Sequence, residues 1–203
     1  MVVPLPRIFC LVSSRDDLAL LPAFAELGVA GFQVRDKAAT TRELLGLSEA
    51  VIGQVGAYDA CVVVDDRLDV ALAAGAHGVH LGASDLPVDE ARRIADAVAP
   101  GLIIGATCRD RAAVEAAAAE GADYAGFGPV FATSSKAGLP DPLGVDAVAA
   151  AAGALPLIAI GGISAAAARD VCAAGAHGVA VIGGLWRQPD PLQAAKELVE
   201  AVG

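Results

Sequence analysis

"AGAHGVHL", residues 74 to 81, is the stretch on which the fold turns. Its first half closes a helix-like run at Gly75, a C′ position where the left-handed backbone costs a residue with a Cβ energy. Its second half opens an apolar strand. The same phrase returns as "LGVAGFQV" at 27 to 34, "EGADYAGF" at 120 to 127 and "AGAHGVAV" at 174 to 181. Gly28, Gly75, Gly121 and Gly175 are thus 47, 46 and 54 residues apart. That interval is too long for one strand-plus-helix unit and about right for two. Further apolar strands fall between them, at about 8 to 12, 61 to 64, 102 to 105 and 157 to 160. Helical patterns run over 17–27, 41–55, 67–74, 88–98, 111–120, 145–152, 165–174 and 190–201. Near-continuous apolar strands alternating with helices predict a parallel sheet covered by helices, and eight such units in 203 residues predict a closed (β/α)8 TIM barrel, with a doubly wound open sheet as the alternative. Without a Pro/Ser-rich linker or a low-complexity boundary, residues 1–203 read as one domain.

Composition narrows the function classes. With 56% hydrophobic and 4% aromatic residues, the core is built of Ala, Val, Leu and Ile. No apolar run approaches the roughly 20 residues that span a bilayer. No membrane partner is expected, and with no secretory pattern in residues 1–7 the cytoplasm is the default location. A net charge of −10 argues against nucleic acid, whose phosphate backbone needs a basic face. Cys10, Cys61, Cys108 and Cys172 are widely spaced and form no metal-type pair, so they read as reduced structural thiols. Whether copies associate into a homo-oligomer is left open.

In a barrel of this kind the strands' C-terminal ends share one face, where the active site is built. After strand two, Gln33, Arg35 and Lys37 alternate along "QVRDK" and share one side of an extended segment. After strand three, Asp65 and Asp66 stand side by side; after strand four, Asp85 lies in "HLGASDLP". One Asp at each place would serve as a helix cap. Three carboxylates converging on one spot would repel, and a divalent cation relieves that most directly; open oxygen ligands suit Mg²⁺. After strand five come Thr107, Cys108 and Arg109, with no evident base to activate the cysteine. After strand six, the longest loop carries Thr133, Ser134, Ser135 and Lys136, hydroxyls and an ammonium suited to clamping phosphate. Paired glycines in "AIGGIS" and "VIGGLW" follow strands seven and eight, where backbone amides would approach an anion closely. Of the three lysines, Lys37 and Lys136 fall in these exits and Lys196 does not. His77 and His177 precede their strands and read as structural; His80, inside strand four, reads as a core histidine with partners.

With these residues in place, the chain resembles the thiamine phosphate synthase family and its close relative, thiazole tautomerase. The resemblance rests on "Q-x-R-x-K" at 33–37, "DDR…D-x-ALA-x-GA-x-GVHLG…DLP" from Asp65 to Pro87, "GADY-x-GFGPVF-x-T-x-SK" from Gly121 to Lys136 and "AIGGI" at 159–163. It implies a transferase that joins a hydroxymethylpyrimidine diphosphate to a thiazole phosphate, giving thiamine phosphate and pyrophosphate, by ionisation of the pyrimidine diphosphate before capture by the thiazole nitrogen. It implies Asp66 and Asp85 on Mg²⁺ and Arg35, Lys37 and Lys136 on the leaving pyrophosphate. Gln33, Asp65 and Thr107 would contact substrate, Thr133 and Ser135 the thiazole phosphate side, and Gly162 with the Ile182–Gly183 amides a phosphate. Departures from the pattern are Asp65 for Asn, Ala83 for Gln, Gly183 for Ser, and Thr107-Cys108-Arg109 for "S-x-H". Arg109 stays protonated and cannot shuttle protons as the tautomerase histidine does. A barrel that binds thiazole phosphate or thiamine phosphate without turnover, and another phosphate-handling isomerase or aldolase, are the remaining alternatives.

Overall fold

The computed structural model describes residues 4–133 and 141–203. Eight parallel strands alternate with helices: β1 (Ile8–Val12), α1 (Leu21–Glu26), β2 (Gly31–Val34), α2 (Thr41–Val55), β3 (Cys61–Asp65), α3 (Leu68–Ala74), β4 (Gly78–Leu81) and α4 (Val88–Val98). They continue with β5 (Ile103–Cys108), α5 (Arg111–Glu120), β6 (Tyr124–Phe127), α6 (Val145–Ala151), β7 (Leu157–Ile160), α7 (Ala165–Ala173), β8 (Gly178–Val181), α8 (Gly183–Trp186) and α9 (Pro191–Val202). β1 pairs with β2 through Phe9↔Gly31 and with β8 through Phe9↔Ala180. The sheet therefore closes, and the open-sheet alternative is excluded.

Side-chain alternation along each strand sorts the core into two layers. Phe9, Leu11, Cys61, Val63, Tyr124, Ile158 and Ala180 fill the barrel. Their neighbours, among them Ile8, Cys10, Val62 and Val64, face the helices. Two rings dominate the interior: Phe9 stacks on Tyr124 with centroids 5.6 Å apart. The Tyr124 ring crosses β5 at Gly105, where a Cβ would stand 2.1 Å from Cζ, so only glycine fits beneath it. The recurring phrase behaves as its glycines require: Gly28, Gly75, Gly121 and Gly175 all have positive φ, at 107, 68, 97 and 104°.

Beyond shifts of a residue at element ends, three features differ from the sequence reading. Over 17–27 the chain makes a 3-10 turn at Leu18–Leu20, with the Asp17 side chain accepting from the Ala19 amide, and α1 starts only at Leu21. Pro22 explains this, since proline has no N–H and suits only a first helical turn. β5 runs on to Cys108 because Thr107 and Cys108 still pair with Gly126 and Phe127. The four-residue α8 was not expected, as a Gly-Gly pair signals a loop. His77 and His177 are structural: His77 Nδ1 accepts from the Val62 amide at 3.0 Å, and His177 Nε2 lies 3.1 Å from the Leu5 carbonyl oxygen. The four cysteines are free, with Cys10, Cys61 and Cys108 buried. Among the described residues no helix is long and apolar enough to cross a membrane.

Candidate active site

A cleft of about 810 Å³ opens at the C-terminal ends of the strands. Gln33, Arg35, Lys37, Asp65, Asp66, Asp85, Thr107, Thr133, Gly162, Ile182 and Gly183 all line it. Ser135 and Lys136, with Ser134, lie outside the described residues.

The acidic wall comes from β3 and β4, and it answers how adjacent aspartates are tolerated. Asp65 ends β3 pointing into the barrel mouth, where Gln33 Nε2 donates to Oδ1 at 2.7 Å and Arg35 Nε lies 3.0 Å from Oδ2. Lys37 Nζ is 3.8 Å from the same oxygen and donates to Asp66 Oδ2. Asp65 is therefore engaged by the cations of β2's exit, and its carboxyl also bonds that of Asp66. Among the described residues no group of three or more His, Cys, Asp or Glu forms a metal cage. Asp66 has φ of 65°, a left-handed conformation fixed by its amide donating to the His80 carbonyl at 2.7 Å. That turn throws its carboxylate towards Asp85. The two carboxyls hydrogen-bond each other, and both crowd Gly82, where a Cβ would stand 2.8 Å from Asp85 Oδ2 and 3.9 Å from Asp66 Oδ1.

Neither Asp66 nor Asp85 caps a helix. The N-cap positions of α3 and α4 are Arg67 and Pro87, with no side-chain cap, whereas α2, α5 and α7 have Thr40, Asp110 and Ser164. Asp85 instead accepts from the Gly82 amide at 2.8 Å, which fixes it within its own loop. Burial raises the Asp65 carboxyl to about 7, and the Asp66 charge adds to this against Arg35 and Lys37. Burial also pushes Asp66 up, but hydrogen bonds from Lys37 and with Asp85 outweigh it and leave that group below the usual carboxylate range. Asp85 is raised, by burial and then by its bond to Asp66. Two carboxyls in contact at an open cleft, one favouring its ion and one its acid, are a donor set that fits a hard divalent cation.

The floor is a buried polar chain. His80 Nδ1 lies 3.0 Å from the Tyr124 hydroxyl and Nε2 3.0 Å from Thr107 Oγ1. Burial depresses His80 to about 4, so its imidazole is neutral at ordinary pH. It is a core histidine with partners, as read, yet it also forms part of the cleft and holds Thr107. Arg109 is tied to the far rim, donating from Nη1 to the Gly128 carbonyl at 3.4 Å and from Nη2 to that of Asp141 at 3.1 Å. Cys108 is buried outside the cleft, with its thiol raised to about 11 by burial, and is no nucleophile.

The glycine wall faces the acids. Gly161 and Gly162 have φ of 98 and 66°, and a Cβ on either would collide with the segment after β6, at Pro129 Cβ (2.6 Å) and the Ala132 carbonyl oxygen (2.5 Å). Their first duty is thus to let two loops pack. Their amides, with that of Ile163, meet no acceptor among the described residues. Sequence reading missed Arg187 on this side and Tyr124 on the floor. Arg187 follows the unexpected α8, and Tyr124 looks like core filler until its hydroxyl is placed.

A closed (β/α)8 barrel with carboxylates, cations and bare amides around one mouth is a setting suited to phosphorylated small molecules. The thiamine monophosphate synthase family model matches residues 6–185. The thiamine-phosphate synthase of Methanoculleus marisnigri is 49% identical over 188 residues, covering 92% of this chain and 87% of the relative. That of Chlorobium luteolum is 42% identical, covering 97% and 93%. Among solved structures, the thiamine phosphate pyrophosphorylase of Pyrococcus furiosus superimposes with a TM-score of 0.85 at 34% identity, covering 97% of this chain and 95% of that one. The chain belongs to the thiamine monophosphate synthase family.

Proposed function

We propose that the cleft makes thiamine phosphate from 4-amino-5-hydroxymethyl-2-methylpyrimidine diphosphate and thiazole phosphate. The observation that carries this reading is the pairing of Asp66 with Asp85 beside Arg35 and Lys37, opposite the glycine wall. Such a cleft offers one end to a diphosphate and the other to a monophosphate. The C–O bond to the pyrimidine methylene breaks with its electron pair leaving on pyrophosphate, and the thiazole nitrogen lone pair then forms the C–N bond. No acid–base pair is needed, because the barrier is the charge developing on the leaving group.

Asp66 and Asp85 would hold Mg²⁺, which when bound supplies positive charge to the diphosphate oxygens. Lys37 turns from Asp66 to the leaving pyrophosphate, and Arg35, anchored through Nε on Asp65, keeps its remaining N–H groups for the same oxygens. Lys136 joins them in this reading. Thr107, held by His80, and Gln33, held by Asp65, orient the pyrimidine, while Thr133, Ser135 and the Gly162, Ile182 and Gly183 backbone take the thiazole phosphate. The test is product formation by purified protein with both substrates, with and without Mg²⁺. Thiamine phosphate should appear with Mg²⁺ and fall at least a hundredfold in Asp66→Ala. An inactive wild type, with Asp66→Ala indistinguishable from it in Mg²⁺ binding, refutes the reading.

A further inference from the structure

Among the described residues, the cations at the acidic end of the cleft are engaged, Arg35 with Asp65 and Lys37 with Asp66, and Arg109 on the far rim is held by two carbonyls. Arg187, the first residue beyond α8, donates its backbone N–H to the Leu185 carbonyl, but its side chain has no hydrogen bond or ion pair among the described residues, although it lines the same cleft. Its side chain doubles back over the glycine wall. A Cβ on Gly183 would meet Arg187 Cδ at 3.5 Å and Nε at 4.0 Å, so the stem covers the place where a side chain at 183 would project. The position is fixed from behind, since Trp186 donates its indole N–H to the Leu11 carbonyl at 2.7 Å and packs edge-on against Phe24. The acid on this side, Glu197, takes a hydrogen bond from Gln193 and makes no ion pair with Arg187. Backbone closes the cradle: a Cβ on Gly184 would stand 2.4 Å from the Ile163 carbonyl oxygen.

We infer that Arg187 is an anion-binding residue, its guanidinium closing the glycine-lined end of the cleft over the phosphate of the thiazole substrate. This rests on the function proposed above for which substrate fills that end, though the anion site itself does not need turnover. A guanidinium without a partner among the described residues, in a chain of net charge −10, is free to pair with a ligand, and its planar donors suit phosphate oxygens. Arg187 thereby supplies at residue 183 what glycine lacks, a side-chain donor.

The experiment is calorimetry with inorganic phosphate and with thiazole phosphate on wild type, Arg187→Ala and Arg187→Lys, beside steady-state kinetics. Arg187→Ala should weaken both ligands about tenfold and raise KM for thiazole phosphate by the same factor, as loss of one charge-assisted hydrogen bond predicts. KM for the pyrimidine diphosphate and the thermal midpoint should not move, and Arg187→Lys should keep part of the affinity. Unchanged phosphate affinity in Arg187→Ala, or an equal loss for both substrates, overturns the inference. Should wild type form no product while its phosphate binding still depends on Arg187, the proposed reaction falls and the anion site stands.

Discussion

Replacing Lys37 by Met should move two properties in opposite directions. The ammonium donates to Asp66 Oδ2 and sits 3.8 Å from Asp65 Oδ2, so it occupies the carboxylate assigned to Mg²⁺. The side chain is 53% exposed, which places the pair in the range of solvent-screened ion pairs, about 0.5–1 kcal/mol. A cation binding Asp66 must displace that contact, and its removal should tighten Mg²⁺ about two- to fivefold. Met keeps the length of the stem, so packing is little disturbed. Turnover goes the other way: a fixed charge aimed at the leaving pyrophosphate is lost, a change of about 10²–10³ in rate. Calorimetric titration of Mg²⁺ and rapid-quench single turnover measure the two separately. Weaker Mg²⁺ binding with an unaltered chemical step would show that Lys37 merely orients Asp66, and the assignment of its charge to the leaving group would be wrong.

Two further outcomes concern the frame beneath the site. Gly105→Ala should cost about 2–5 kcal/mol in urea unfolding, because the new methyl displaces the Tyr124 ring and strips His80 of a buried partner; Gly53→Ala, in open space on α2, should be neutral or stabilising, and equal effects at the two positions would contradict the packing described. His80 should make stability pH-dependent: with its folded pKa lowered from 6.5 to about 4, the unfolded chain binds a proton that the folded one refuses, and stability falls as pH drops through that window. The wild type should lose up to about 3 kcal/mol relative to His80→Gln between pH 7 and 4, and parallel stability curves for the two proteins would show that the imidazole is not buried neutral.

The barrel was legible because its signal is repeated. Each of Gly28, Gly75, Gly121 and Gly175 marks the same helix-to-strand passage, and four copies fix the period where one would not. Strand exits were legible for the same reason, since the topology alone brings Lys37, Asp66 and Thr133 to one mouth. What escaped is what depends on three-dimensional partners. Asp65 and Asp66 look alike in sequence, yet one faces Arg35 and Gln33 and the other turns to Asp85, a division made by the left-handed backbone at 66. The glycines at 161 and 162 were read for the anion they expose, and nothing local told of the loop lying across them. Arg187 was hidden because a helix of four residues has no periodicity to announce it.

The left-handed backbone at Asp66 restricts the alphabet at that site. With φ of 65°, residue 66 admits aspartate, asparagine or glycine at small cost and makes β-branched side chains true outliers. Folding thus preselects a short list before chemistry has any say, and aspartate is the member of that list that carries a charge. A library sorted only for well-folded barrels would therefore come back enriched in Asp, Asn and Gly at this codon, mimicking selection for catalysis where none had been applied.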